Sequence, residues 1–255
     1  IAITDLPMFA DKQVMALDIN MENGAAIFSY PAFGWRPVKK RFKHAIYNII
    51  QELNEAEQES RNYDNNNQIE NSVKKQFPLS KIEKETIYMK ETDSYHLRYL
   101  SSSRSRGMFR LVSGMTFANN PLNMMASLSN IVAIAFTTGA FGLVFTTMWQ
   151  MAYNFSMWRL FGISIIAIIG MLIWIMMSHD LWEPVNKSNH KRITWLYNLT
   201  TIMTLIFAII IYYIILYLLF LIAEIVLLPS GFLGQQVGLK GSAGIDLYLS
   251  IPWFA

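Results

Sequence analysis

Hydrophobic and polar positions follow two different rhythms along this chain. Over residues 1–53 they alternate or recur at short period, whereas beyond residue 110 apolar residues run on almost without charge. "IAITD" is a short β-branched run ending at Asp5, and "QVMALDI" and "AAIFSY" flank "NMENG". Asn23-Gly24 is a dipeptide favoured in hairpin turns, so these two runs read as paired strands. The period then changes. In "FGWRPVKKRFKHAIYNIIQEL", Val38, Phe42, Ala45, Ile46, Ile49 and Leu53 fall on one helical face, with Pro37 suited to the first turn. Residues 1–53 are expected to form a partial α/β soluble domain. Residues 54–75, Asn- and Glu-rich, have little to bury and read as a polar linker. Residues 76–126 show no clear period and are expected to be a juxtamembrane segment, with Pro121 as a break before the first span.

Beyond this point the pattern predicts membrane spans. No Asp, Glu, Lys or Arg occurs in residues 111–158, 160–179 or 193–223. A crossing helix needs about 20 mostly apolar residues, and a long soluble helix shows a polar face that these stretches lack. Spans are expected over about 127–150, 160–178 and 196–220, with a fourth beginning near 246. The fold class is therefore an α-helical multi-pass membrane protein with a small N-terminal α/β domain. The chain starts "IAITDLPMF", without Met, and ends in "IDLYLSIPWFA", as if an apolar segment were beginning, so it reads as a piece of a longer protein.

Charge adds an orientation. Arg98, Arg104, Arg106 and Arg110 precede the first span, and Lys187, Lys191 and Arg192 lie between the second and third. The other connections hold only Arg159 and Lys240. Lys/Arg-rich loops stay inside, which predicts a cytoplasmic N-terminal domain. Trp149, Trp158, Trp182 and Trp195 fall near the expected span ends, where interfacial aromatics sit. The net charge of +3 is modest, and the absence of cysteine excludes disulfides, thiolate metal sites and cysteine nucleophiles.

Few residues carry candidate chemistry. Glu224 is a lone acid in "LYLLFLIAEIVLLPSG". A helix rising about 1.5 Å per residue crosses the hydrocarbon in about 20 residues, leaving Glu224 about two turns beyond it, as an interfacial carboxylate in water. The alternative is a polar stripe. Tyr213, Tyr217 and Glu224 share a helix face and, turned into a bundle, would line a path for an ion or solute. In "HDLWE", a helical His179 and Glu183 would lie one turn apart and, with Asp180 and His190 nearby, form a candidate metal site, set against a plain helix end with Trp182 as anchor. Asp5 and Asp18, near strand ends, are a candidate soluble-domain site or ordinary turn acids. "RPVKKRFKHA" is a basic amphipathic helix start, facing either solvent or an anionic leaflet. Thr137, Thr138, Gly139, Gly142, Thr146 and Thr147 read as helix packing. No phosphate-binding glycine loop, HExxH motif or nucleic-acid-binding motif occurs, and no catalytic set is indicated.

"AITDLPMF…VMALDINMENGAAIFSYPAFG", followed by the basic helix, resembles the N-terminal module of a group of uncharacterised bacterial multi-pass membrane proteins. "GMTFANNP", "TTGAFGLV…MW", "HDLWE", "YNLTTIMTL" and "IDLYLSIPW" resemble their membrane half in the same order. Some members carry the label 5,10-methylene-tetrahydrofolate dehydrogenase, for which this chain has no dinucleotide-binding glycine loop. The resemblance implies a topology, a cytoplasmic α/β domain followed by about four spans in a bacterial inner membrane, and no catalytic residues. The first expectation is a tethered binding or regulatory module without a cofactor. Its partners would be the bilayer, a protein meeting the cytoplasmic domain, and further copies of the chain. The others are a small transporter or channel component using Glu224 and Tyr217, and a metal-dependent membrane enzyme using His179, Asp180 and Glu183.

Overall fold

The computed structural model describes residues 1–35, 37–57, 82–90, 94–121, 129–185 and 191–253. The chain divides into two units, Ile1–Asn119 and Asn120–Ala255. It is mostly helical, with a mixed sheet in the first unit.

The first unit is built on strands β1 (Ala2–Thr4), β2 (Met8–Ala10), β3 (Gln13–Asn20), β4 (Ala26–Ser29), β5 (Ile82–Met89) and β6 (Ser94–Ser101). Their order is β1-β4-β3-β6-β5, with β2 also on β3. Only β1 and β4 run parallel; the other pairs are antiparallel. The hairpin at Asn23-Gly24 forms, with Gly24 at φ +64° and the Asn20 and Asn23 side chains accepting turn N–H groups. The β3–β6 register shifts between Met15 and Leu17, and Leu17, Ile19, Phe28, Leu97 and Tyr99 are buried in the core. Helix α1 (Val38–Glu57) covers them with the predicted stripe: Phe42, Ala45 and Ile49 are buried, and Phe42 meets Phe28, Tyr30 and Phe33 edge-on.

Residues 82–89 and 94–101, expected in a juxtamembrane segment, instead supply two strands of this sheet, and helix α2 (Arg104–Ala118) packs on it. Residues 54–57 belong to α1, and 58–81 lie outside the described residues, as does most of the expected linker. All four arginines counted ahead of the first span belong to the folded unit, and two of them are engaged inside it. Arg98 faces Asp18, and Arg110 is 1% exposed; burial pushes its guanidinium down to about 10, so it stays charged at neutral pH.

The second unit contains α3 (Ser129–Gly142), α4 (Thr146–Asn154), α5 (Met157–Ser178), α6 (Lys191–Leu227), α7 (Ser230–Gln236) and α8 (Ile245–Ser250). Helices α5 and α6 are long and apolar enough to cross a membrane, with mean hydropathies of 2.6 and 3.0. The expected span at 127–150 is not one rod. It breaks between Gly142 and Thr146 and turns through 89°, so the pair counts as a third candidate only if taken together. A Cβ on Gly142 would sit 3.2 Å from Met148 Cε, so glycine lets the short arm fold close. The fourth expected span is, over residues 245–253, a six-residue helix and a 3-10 turn holding Pro252.

Candidate functional site

Helix α6 has 37 residues, about 55 Å at 1.5 Å per residue, and one face of its last turns packs against short helices while Ile222, Ile225, Val226 and Leu227 are exposed. Phe220 joins an apolar cluster with Trp149 and Ala152 of α4, Leu233 of α7 and Leu247 of α8, and Leu228 packs against it. Phe136 of α3 stacks on Phe220 at 5.2 Å. Glu224 lies midway between Phe220 and Leu228, and residues four apart share a helix face. Its side chain therefore points where theirs do. Its exposure is 0%, and neither carboxylate oxygen has a hydrogen-bond partner among the described residues.

The enclosure is held by polar contacts that leave Glu224 out. The Tyr248 hydroxyl donates to the Leu228 carbonyl at 2.6 Å, and the Tyr217 hydroxyl donates to the Leu249 carbonyl at 2.8 Å. These two tyrosines are near enough to feel the charge of Glu224, and each hydroxyl proton is engaged by backbone. Tyr213 hydrogen-bonds Ser164 of α5 at 2.7 Å. Trp253 stands edge-on to both Tyr213 and Tyr217. The predicted stripe is thus real as a face, but its tyrosines are joined to each other through Trp253 while the carboxyl stands alone. The expectation of an interfacial carboxylate in water is corrected: protein surrounds Glu224. A count of helix rise gives depth along the axis and says nothing of the short helices that close over the end.

Compared with protein-family models, curated proteins and solved structures, the chain finds no match. The site has therefore to be read from its own geometry.

Trp149 is not an interfacial anchor either. It is 2% exposed, and its indole N–H donates at 3.0 Å to the Leu143 carbonyl, which the break after α3 frees. Trp149→Phe keeps most of the ring and loses that bond, and is expected to destabilise the unit by about 1 kcal/mol, read as a lower melting temperature in detergent. Trp158, Trp182 and Trp195 are exposed, as anchors would be.

The condition for the metal site is not met. Helix α5 ends at Ser178; the His179 and Leu181 N–H groups close the end onto Ile175 and Met176 carbonyls, and Asp180 turns left-handed at φ +49°. His179 and Glu183 thus share no helix face. Asn198 of α6 clamps the Glu183 backbone, accepting from its N–H at 2.8 Å and donating to its carbonyl at 2.9 Å. No group of three metal-binding side chains occurs among the described residues, and His190 lies outside them.

In the first unit, Asp5 is exposed just after β1; burial, and then the Asp5 charge, push the nearby Tyr30 hydroxyl up. Asp18 is inside β3 rather than at its end. Its carboxylate takes His96 Nδ1 at 2.9 Å and faces Arg98 Nε at 3.4 Å, both from β6. These cross-strand partners engage Asp18 structurally. Asp18→Ala is expected to cost about 1–2 kcal/mol, by the usual worth of charge-assisted hydrogen bonds, in urea unfolding of the first unit.

Proposed function

We propose that this is a multi-pass membrane protein of transporter or channel type in which Glu224 binds and releases a proton. The observation that carries the reading is a fully buried carboxyl with no hydrogen-bond partner among the described residues. An ionised carboxylate enclosed without a partner is several kcal/mol unfavourable. The closed pocket must therefore supply a counter-charge. A divalent ion asks for several oxygen ligands, whereas the Tyr217 and Tyr248 hydroxyls are engaged by backbone carbonyls and no group of three metal-binding side chains occurs among the described residues. A proton needs one oxygen.

Insertion in lipid is supported by the surface of α5 and α6. Only 22% and 28% of their most apolar stretches is buried by protein, so the rest presents Ile, Leu and Trp outward. The bend between α3 and α4 supports a path rather than a plain anchor, because interrupted helices at membrane depth occur where protein or a water-lined cavity satisfies the freed backbone. The first unit is proposed to be cytoplasmic and to act as a regulatory or binding module. Arg104, Arg106, Lys191 and Arg192 fall on the side that this orientation makes internal, against Arg159 and Lys240 on the other.

A hydrophobic carbodiimide tests the reading, since it reacts with carboxylic acids in apolar surroundings. Reconstituted protein is expected to acquire one rapid adduct at Glu224, absent in Glu224→Gln, and Glu224→Gln is expected to abolish dye-detected proton flux across vesicles. Labelling of Glu224 no faster than that of Asp246, which is exposed, overturns it.

A further inference from the structure

Helix α1 uses one face to cover the sheet and leaves the flank beside it exposed. Lys39, Lys40, Lys43, His44, Tyr47 and Ile50 are all exposed. Lys39, Lys43, Tyr47 and Ile50 follow one another at spacings of four, four and three and so form a single stripe. The Lys43 ammonium stands 5.8 Å from the Tyr47 ring centre. Beside the stripe lies an open groove of about 440 Å³, floored by Tyr30, Phe42 and Ile46. Tyr47 is 61% and Ile50 38% exposed, large values for such residues on a helix that already has a buried face. No acidic residue occurs between Asp18 and Glu52 except Glu22, which lies in the β3–β4 turn, so the stripe itself carries only positive charge. Trp35, just before the helix, is also half-exposed.

We infer that this face of α1 docks on anionic lipid headgroups. Lysines flanking an aromatic and an aliphatic residue suit the headgroup boundary: the ammoniums meet phosphates, and Tyr47 and Ile50 enter the acyl edge. The partner follows from charge complementarity and from the chain itself. A domain joined covalently to membrane spans meets its own leaflet at high effective concentration, so weak individual contacts suffice. This docking rests on the membrane reading above.

The absence of cysteine makes the test clean, because Tyr47→Cys gives one labelling position for an environment-sensitive fluorophore. The full chain carrying it is reconstituted in phosphatidylcholine vesicles with and without phosphatidylglycerol. Emission is expected to shift to the blue and to be quenched by brominated lipid only when phosphatidylglycerol is present. High salt or the triple change Lys39→Glu, Lys40→Glu, Lys43→Glu should remove the shift, and the corresponding Gln variant should reduce it. An unshifted probe, or a shift indifferent to lipid charge and to the lysines, overturns the docking. Alkaline carbonate extraction separates the two readings. A chain that washes off the vesicles removes both, whereas a chain that stays while its probe remains unshifted removes only the docking.

Discussion

Replacing Glu224 with Leu is expected to make the helical unit more stable, by about 1–3 kcal/mol, the measured range for burying an unsatisfied polar group in a protein. Leu has a similar reach and no polar atoms, and Phe220 and Leu228, four residues to either side, belong to or pack against an apolar cluster. Since neither oxygen has a partner among the described residues, no bond is broken by its loss. A buried donor or acceptor left unmade destabilises the fold, while its apolar replacement is neutral or better. Thermal unfolding of the full chain in detergent reads the effect, with Glu224→Gln expected to lie close to the native protein. A residue that weakens its own fold is retained for what it does, and the same Leu variant should lose carbodiimide labelling and proton flux. If Glu224→Leu instead lowers stability by more than about 1 kcal/mol, the carboxyl has a structural partner and the proton reading loses its support.

What the sequence made legible was local, and what it hid was long-range. The hairpin at Asn23-Gly24 and the buried stripe of α1 follow from turn chemistry and helical period, and both are present. The long apolar stretches at α5 and α6 follow from the absence of charge. Residues 82–101 were opaque because "IEKETIYM" is an edge strand with about half of its side chains exposed, and its membership depends on β6 pairing with β3 some 80 residues earlier in the chain. The same distance hid the partners of Asp18. The bend after α3 gave no proline to read. Its signals are Gly142, which admits Met148 closely, and Trp149, which supplies the missing donor. Spacing alone assigned these residues to packing and to an interface. For Glu224 the helical period set it on one face with Tyr213 and Tyr217. Its burial was hidden because the face it shares with Phe220 packs with α7 and α8, two short helices with no amphipathic period long enough to detect.

The largest effect in the first unit is expected at Gly114, where even Ala should destabilise. In an exposed helix interior Gly→Ala gains about 1 kcal/mol from propensity, and position 114 lies inside α2. Here the gain is outweighed because the helix rests directly on the turn at Tyr30–Phe33: a Cβ on Gly114 would run into the backbone carbonyl of Pro31. A backbone group cannot rotate aside as a side-chain tip can. Accommodating a Cβ means lifting α2, and with it Leu111 and Met115, off the core. Overpacking of this kind destabilises by about 1–3 kcal/mol, and Gly114→Leu should exceed Gly114→Ala. Hydrogen exchange over β3 and β6, against which α2 packs, should quicken in both variants while α5 and α6 are unchanged. The internal control is Gly162→Ala in α5, where nothing stands within 4 Å of the new Cβ and propensity alone acts, so its sign should be opposite. Equal signs at the two glycines would mean that α2 does not press on Pro31 in solution.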